Sequence, residues 1–373
     1  MSLGRAGKAT SAALQGKDVA LLGPAEAADP RTDKGGGQVK AVVIEEPHRV
    51  GVKRIDDPTP GPGEIVVKVE ACGICGTDIH VLEGDFAPTR YPIVPGHEFC
   101  GEAVAVSPDV SSVRVGDFLA VDPSLFCGRC YFCQLGRANL CENFNALGVG
   151  AAFGACAEYV GVPSKNAYSL PDDLPRRWGT LVEPLSCAVH GFDQIDLRLA
   201  SSYLIYGAGT MGLMLAQLAA QTGGKTVDIV DINPGRFDLA KRLAADRVAA
   251  SADELEEPRG WDVVMDATGA VPAIEDGLRR VKKGGTFLVF GVASAEATAR
   301  FSPFRVYNEE INIVGSMAVL HSFERARDLL VKGVIDCDAM LTHRFPLDDY
   351  TTAIDTFRQG AGLKVQVFPD TAA

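Results

Sequence analysis

No apolar run in the 373-residue chain approaches the roughly 18 residues a membrane span requires. Near the N-terminus the stretch VALLG is too short to be the apolar region of a secretory signal. Basic residues are also in short supply: 36 Lys and Arg stand against 48 Asp and Glu, for a formal net charge of -12. A nucleic-acid partner usually calls for a basic face, so that class is set aside. No internal repeat is visible. Together these absences point to a cytoplasmic protein, where thiols stay reduced and clustered cysteines bind metal sooner than they pair as disulfides. What remains is ordinary for a globular chain, 47% hydrophobic and 23% charged. At about 150 residues per domain, the length suggests about two domains.

Residues 1–38 are rich in Ala, Gly, Lys and Asp, lack apolar periodicity and run into Lys34-Gly35-Gly36-Gly37. They read as a leader outside the fold. From Val39 onward, VKAVVIEEP and GEIVVKVEACGICGTD alternate as strands do, with Pro60-Gly61 and Pro62-Gly63 marking the turn between them. PGHEFCGEAVAVS and VGDFLAVDP are also β-rich. After Leu181 the pattern changes to alternating strands and helices, which implies a parallel sheet covered on both faces. The segment DGLRRVKKG reads as helical there. The ending GLKVQVFP is strand-like again and is expected to rejoin the first domain. The expected domains are 39–186, 187–316 and a return over 317–373.

Gly207-Ala208-Gly209-Thr210-Met211-Gly212 fits GxGxxG between an apolar strand, YLIY, and an apolar helix, LMLAQLAA. Gly207 permits the tight turn, Gly209 the approach of a pyrophosphate, and Gly212 close packing of helix on strand. Asp231, followed by Ile232, ends the next strand, TVDIVD. A carboxylate there accepts from a ribose 2′-hydroxyl and repels a 2′-phosphate, so NAD is expected over NADP; Arg236 nearby softens the preference. Thr268, Gly291, Val292, Ser316 and Met317 close later strands and are candidates for the nicotinamide side.

Cys72 and Cys75 stand in CGICGTDIH, His97 and Glu98 in GHE, and Glu183 in EPLS at the junction of the halves. Cys, His and Glu brought from distant positions make a catalytic zinc set with one position open, placed in an interdomain cleft. A redox reading of Cys72-x-x-Cys75 lacks a thioredoxin-like context. The spacing of Cys127, Cys130, Cys133 and Cys141 suits four thiolates that close a tetrahedral zinc completely and leave no place for substrate.

In their order along the chain, CGICGTDIH, GHE, the four-cysteine lobe, EPLSCAVHG, GAGTMG and NEEINIVGS closely resemble the zinc-dependent medium-chain dehydrogenase/reductase family of alcohol, sorbitol and threonine dehydrogenases. The resemblance spans about Val39 to Pro369. It implies an α/β protein: a mostly β, GroES-like catalytic domain (39–186, carrying a structural zinc lobe at 127–141) and a Rossmann domain with a doubly wound parallel sheet (187–316). It implies Cys75 and His97 as ligands of a catalytic zinc, with Glu183 at the third position. Alcohol dehydrogenase has a second Cys at this position in its Cys2His site; a carboxylate here resembles the polyol dehydrogenase branch. Glu98 is expected to bind the metal directly or to displace a ligand during turnover. Asp78 is expected to orient His97 through its other ring nitrogen.

The implied reaction is hydride transfer from a secondary alcohol, a polyol or sugar alcohol favoured, to NAD, with zinc as Lewis acid. Thr77 and His80 are expected to carry the proton out, a role that suits imidazole. Two zinc ions per subunit, a small-molecule substrate, no nucleic-acid or membrane partner, and a homo-dimer or homo-tetramer complete the expectation. Threonine, butanediol and simple alcohols stay open as substrates. A zinc-free reductase of the same fold would lack the Cys-His-Glu set and the lobe, and a non-enzymatic nucleotide-binding relative would have lost one of Cys75, Thr77, His97 or Glu183. A zinc-ribbon module for nucleic acid is disfavoured by the acidic charge. His48, His190, His321 and His343 have no site context, and His190 reads as structural.

Overall fold

Strand Glu64–Ile74 organises the first half. Its side chains alternate between faces, and Ile65, Val67 and Val69 enter one core together with Val42, Ile44, Val160 and Val162. In this computed structural model, which describes residues 37–86, 89–150 and 153–369, the strand sits inside a seven-stranded sheet. Along the main path the order is Leu341–Pro346, Lys364–Phe368, Glu64–Ile74, Glu98–Val106, Phe118–Val121 and Ala167–Ser169. One edge of Glu64–Ile74 is shared end to end: Tyr159–Pro163 pairs with its first half and Lys364–Phe368 with its last residues. The segment GLKVQVFP thus joins the first sheet. Of the expected leader, residues 1–36 lie outside the described residues, and Gln38 already opens the strand Gln38–Glu46.

A second sheet of six strands is parallel throughout. Its order is Arg247–Ala249, Thr226–Val230, Ser202–Tyr206, Trp261–Asp266, Val281–Val289 and Asn312–Gly315. This is the strand order of a dinucleotide-binding fold, and its connectivity reverses between Ser202–Tyr206 and Trp261–Asp266. Helices cover the sheet, among them Thr210–Gln221 and Val271–Arg280. The sequence DGLRRVKKG divides at Arg280: the helix ends there and VKKG opens the strand Val281–Val289. The Asp228 carboxylate, fully buried, accepts from Trp261 Nε1 at 2.7 Å and from Arg247 at 2.6 and 2.8 Å, so its charge is paired.

Helix Val182–Asp193 joins the halves. Leu185, Ala188, Val189 and Phe192 are buried in one core with Leu213 and Met214 of the parallel half, while Glu183, Cys187 and His190 recur at i, i+4 and i+7 on another face. The expected boundary at 186/187 falls inside this helix. The segment after Met317 also divides: Phe323–Val331 packs into the core of the parallel half, and only the strands from Leu341 onward join the first sheet. Among the described residues, no helix is long and apolar enough to cross a membrane.

Candidate active site and metal centres

Cys75 follows the last residue of strand Glu64–Ile74 and caps the helix Gly76–Glu83. Its backbone N–H donates to Asp78 Oδ2 at 2.8 Å, which fixes the Asp78 carboxylate beneath the strand end. The other oxygen, Oδ1, lies 3.5 Å from His97 Nδ1. Both atoms are buried, and neither has another hydrogen-bond partner among the described residues. Donor atoms of Cys75, His97 and Glu98 lie within 4.8 Å of one another. Burial lowers the His97 pKa, but Asp78 and Cys75 outweigh it and hold the imidazole well above its ordinary value.

The donor set is thiol, imidazole and carboxylate, which suits zinc. The facing pair Asp78 Oδ1 and His97 Nδ1 is the arrangement expected when a ligating imidazole donates its second N–H to a carboxylate. The residues present therefore fit a zinc ion.

Glu98 is held from its far side by Lys364, whose Nζ lies 2.8 Å from Oε1 and 2.5 Å from Oε2 and also donates to Ile74 O at 3.3 Å. Sheet register brings them together, since Gly73 pairs with Glu98 on one side and Gln366 on the other. The Glu98 side chain passes over Gly73, where an added Cβ would lie 2.3 Å from Oε2. Burial lowers the Lys364 pKa, but Glu98 and Cys75 prevail and raise it. Lys364 lies outside the sequence motifs. Its only signal was a lone Lys opening the apolar alternation KVQVF.

Glu183 stands outside the group of three. Its buried carboxyl accepts from Cys187 Sγ at 3.5 Å. Burial pushes it up to about 7, with Glu98 acting in the same direction and His97 and Lys364 against. Thr77 Oγ1 lies 3.8 Å from Cys75 Sγ. His80, three residues along the same helix, has a side chain 43% exposed and Nδ1 3.0 Å from Asp85 Oδ1.

In the glycine turn, Gly207 adopts φ 103° and donates to Val230 O at 2.7 Å. An added Cβ at Gly212 would sit 1.8 Å from Gly207 O, so the helix can approach the turn only with glycine there. Gly209 is the N-cap of the helix that Thr210 and Met211 begin. Asp231 accepts from Ala208 N at 2.6 Å and from Asn233 N at 2.7 Å, and Arg236 Nη1 lies 3.6 Å from its Oδ2. Ile232 is exposed. Across the switch point, Asp266 fixes the next loop by accepting from Thr268 N and Gly269 N, both at 3.0 Å. Gly291, Val292, Ser316 and Met317 line one cavity at the adjoining strand ends.

The thiols of Cys127, Cys130, Cys133 and Cys141 also lie within 4.8 Å of one another, and none is in a disulfide. Backbone N–H groups point at the sulfurs: Cys130 N to Cys127 Sγ at 3.4 Å and Asn143 N to Cys141 Sγ at 3.3 Å. Hydrogen bonds from the backbone of Arg129 and Cys130 bring the Cys127 thiol down to about 6. Four thiols in such a cluster fit a closed zinc site.

Residues 61–172 match the alcohol dehydrogenase GroES-like domain family and residues 210–332 the zinc-binding dehydrogenase family. D-arabinitol dehydrogenase 1 of Uromyces fabae is 38% identical over 344 residues, covering 89% of this chain and 98% of that protein. L-threonine 3-dehydrogenase of Thermococcus kodakarensis is 33% identical over 84% of this chain and 93% of its own length. A solved structure from Sinorhizobium meliloti 1021, described as a zinc-binding dehydrogenase bound to NADP, superposes with a TM-score of 0.85 at 35% identity. It covers 89% of this chain and 100% of that one.

Proposed function

Because the chain belongs to the zinc-dependent medium-chain dehydrogenase/reductase family, we propose that it oxidises a secondary hydroxyl of a polyol and delivers the hydride to NAD. The observation that carries this reading is the group of half-buried Cys75 and buried His97 and Glu98, with a second carboxylate, Glu183, beside it. These residues would hold the catalytic zinc. When bound, zinc supplies Lewis acidity toward the substrate hydroxyl. The nicotinamide supplies the hydride acceptor.

The chain's own residues do the rest. Asp78 Oδ1 fixes the orientation of His97. Lys364 anchors Glu98, and Glu183 stands ready as the alternative carboxylate ligand. The Thr77 hydroxyl would accept the substrate hydroxyl proton as it gives up its own, and His80, one helical turn along and bonded to Asp85, would pass a proton to solvent; the nicotinamide ribose, when bound, would link the two. The four cysteines of the lobe would hold a second, structural zinc.

Asp231 is fixed by two backbone N–H groups in position to accept from a ribose hydroxyl and to repel a 2′-phosphate. Arg236, beside it, offsets part of that repulsion. NAD is therefore the proposed acceptor, although the Sinorhizobium meliloti relative carries NADP. The proposed homo-oligomer forms through the strand Asn312–Gly315, which pairs with Val281–Val289 on one side and is the last strand of its sheet, and which follows a helix carrying exposed Phe304 and Tyr307.

The test is a panel of alditols, diols, L-threonine and simple alcohols assayed with NAD and with NADP. The highest kcat/KM on an alditol with NAD is expected. A preference for L-threonine would favour the activity named for the second relative. Activity only with NADP would contradict the role given to Asp231.

A further inference from the structure

Two carboxylates stand near the metal ligands, and they are held by very different bonds. Glu98 takes two bonds from the buried Lys364 ammonium, at 2.8 and 2.5 Å. Glu183 has no ion pair among the described residues, because Lys364 is committed to Glu98 and Ile74 O and His97 Nδ1 faces Asp78.

The backbone of Glu183 is fixed within its own helix. Its carbonyl accepts from Ser186 Oγ at 2.7 Å, and Leu185, Ala188 and Val189 seat the helix in the core of the parallel half. The carboxylate is held far less firmly. Among the described residues it has one hydrogen-bond donor, Cys187 Sγ, 3.5 Å from Oε1. Cys187 stands one turn along the helix, and helical side chains lean toward the N-terminus, so the half-buried thiol points back over Glu183. A thiol is a weak donor compared with a hydroxyl or an ammonium. Neither Cys187 nor Glu183 belongs to the close group of ligand atoms that Cys75, His97 and Glu98 form. The thiol is therefore placed to act on Glu183 and not on the metal.

We propose that Cys187 is a positioning residue for the metal site: its S–H bond keeps the Glu183 carboxylate on the helix face and so leaves the open coordination position to the substrate hydroxyl. Giving up one weak bond releases Glu183 toward the metal, whereas Glu98 is anchored by a lysine. The proposal rests on the zinc and polyol reading above and assigns the residue that restrains its second carboxylate.

The test uses the zinc-loaded enzyme and its Cys187→Ala and Cys187→Ser variants. Zinc release to a chelator is followed as metal content, and the phase that Cys75→Ala lacks belongs to this site. Cys187→Ala should slow that phase by up to roughly 10-fold, the worth of one hydrogen bond, because the freed carboxylate joins the metal. The KM for an alditol should rise with kcat changed less, since a smaller fraction of the enzyme keeps the position open. Cys187→Ser keeps a donor and should return both quantities toward wild type. In a Glu183→Ala background, Cys187→Ala should no longer alter zinc release. Unchanged release and KM in Cys187→Ala, the same change in the absence of Glu183, or Cys187→Ser behaving as Cys187→Ala would overturn the proposal. Wild-type protein that holds no zinc beyond the ion of the lobe, or that turns over no alditol, would instead overturn the reading on which it rests.

Discussion

Replacing Lys364 by Met isolates the contact that holds Glu98. Both side chains are at most 2% exposed, and the lysine makes two bonds to the carboxylate and one to Ile74 O. Methionine keeps the apolar stem and removes the charge. In zinc-free protein Glu98 then becomes a buried carboxylate without its cation, and breaking such a pair costs about 3–5 kcal/mol. In zinc-loaded protein the metal beside Cys75 and His97 compensates the same carboxylate. The loss should then fall to the roughly 1.5–3 kcal/mol of a charge-assisted hydrogen bond. The assay is urea unfolding of wild type and Lys364→Met, each with zinc and after chelation, read as the difference between the two losses. An equal loss in both states, or a larger one with zinc, would refute the claim that Glu98 faces lysine and metal together.

Cys127→Ser should lower metal content by one ion per chain and reduce thermal stability, while any fraction that stays folded with its other zinc keeps its turnover. Loss of turnover in that fraction, checked by metal analysis beside the assay, would contradict a structural role for the lobe. His80→Gln should slow turnover most on the acid side of the pH–rate profile; an unchanged profile would remove His80 from the proton path. Burial raises the Asp276 pKa, but hydrogen bonds from Tyr206, Arg280 and Arg279 outweigh it and the net direction is below 3.8. Its contribution to stability is therefore present above the unfolded value and lost as the pH falls through the folded one. Acid unfolding of Asp276→Asn should accordingly show a weaker dependence on pH below about 4. Unchanged acid sensitivity would discard that assignment.

The glycine turn and the cysteine lobe were legible in the sequence because each is local: a strand, three glycines and a helix, or four thiols in fifteen residues, declare themselves by spacing. Cys75, His97 and Glu98 could be nominated because two short motifs carry them. Lys364 could not, since it reaches Glu98 only through the pairing of Lys364–Phe368 with the end of Glu64–Ile74, a register set by tertiary structure. The choice between Glu98 and Glu183 as ligand was invisible for a related reason: both carboxylates are near the metal ligands, and only the folded backbone puts Glu98 in the group of three. The expected boundary at 186/187 falls inside the helix Val182–Asp193, whose apolar face packs on the parallel half while its first turn carries Glu183. VKKG was drawn into a helix by its polar residues, yet it lies at the start of a strand whose apolar part comes later.

Alditol oxidation is proposed to depend on a zinc ion held by Cys75, His97 and Glu98. Metal content and NAD-dependent alditol oxidation, measured on the same freshly purified sample during stepwise chelation, test it most directly. Two zinc ions per chain are predicted, with activity vanishing as one is withdrawn, returning when zinc is restored, and absent from Cys75→Ala at any zinc level. Full turnover in protein stripped of both ions would contradict the account.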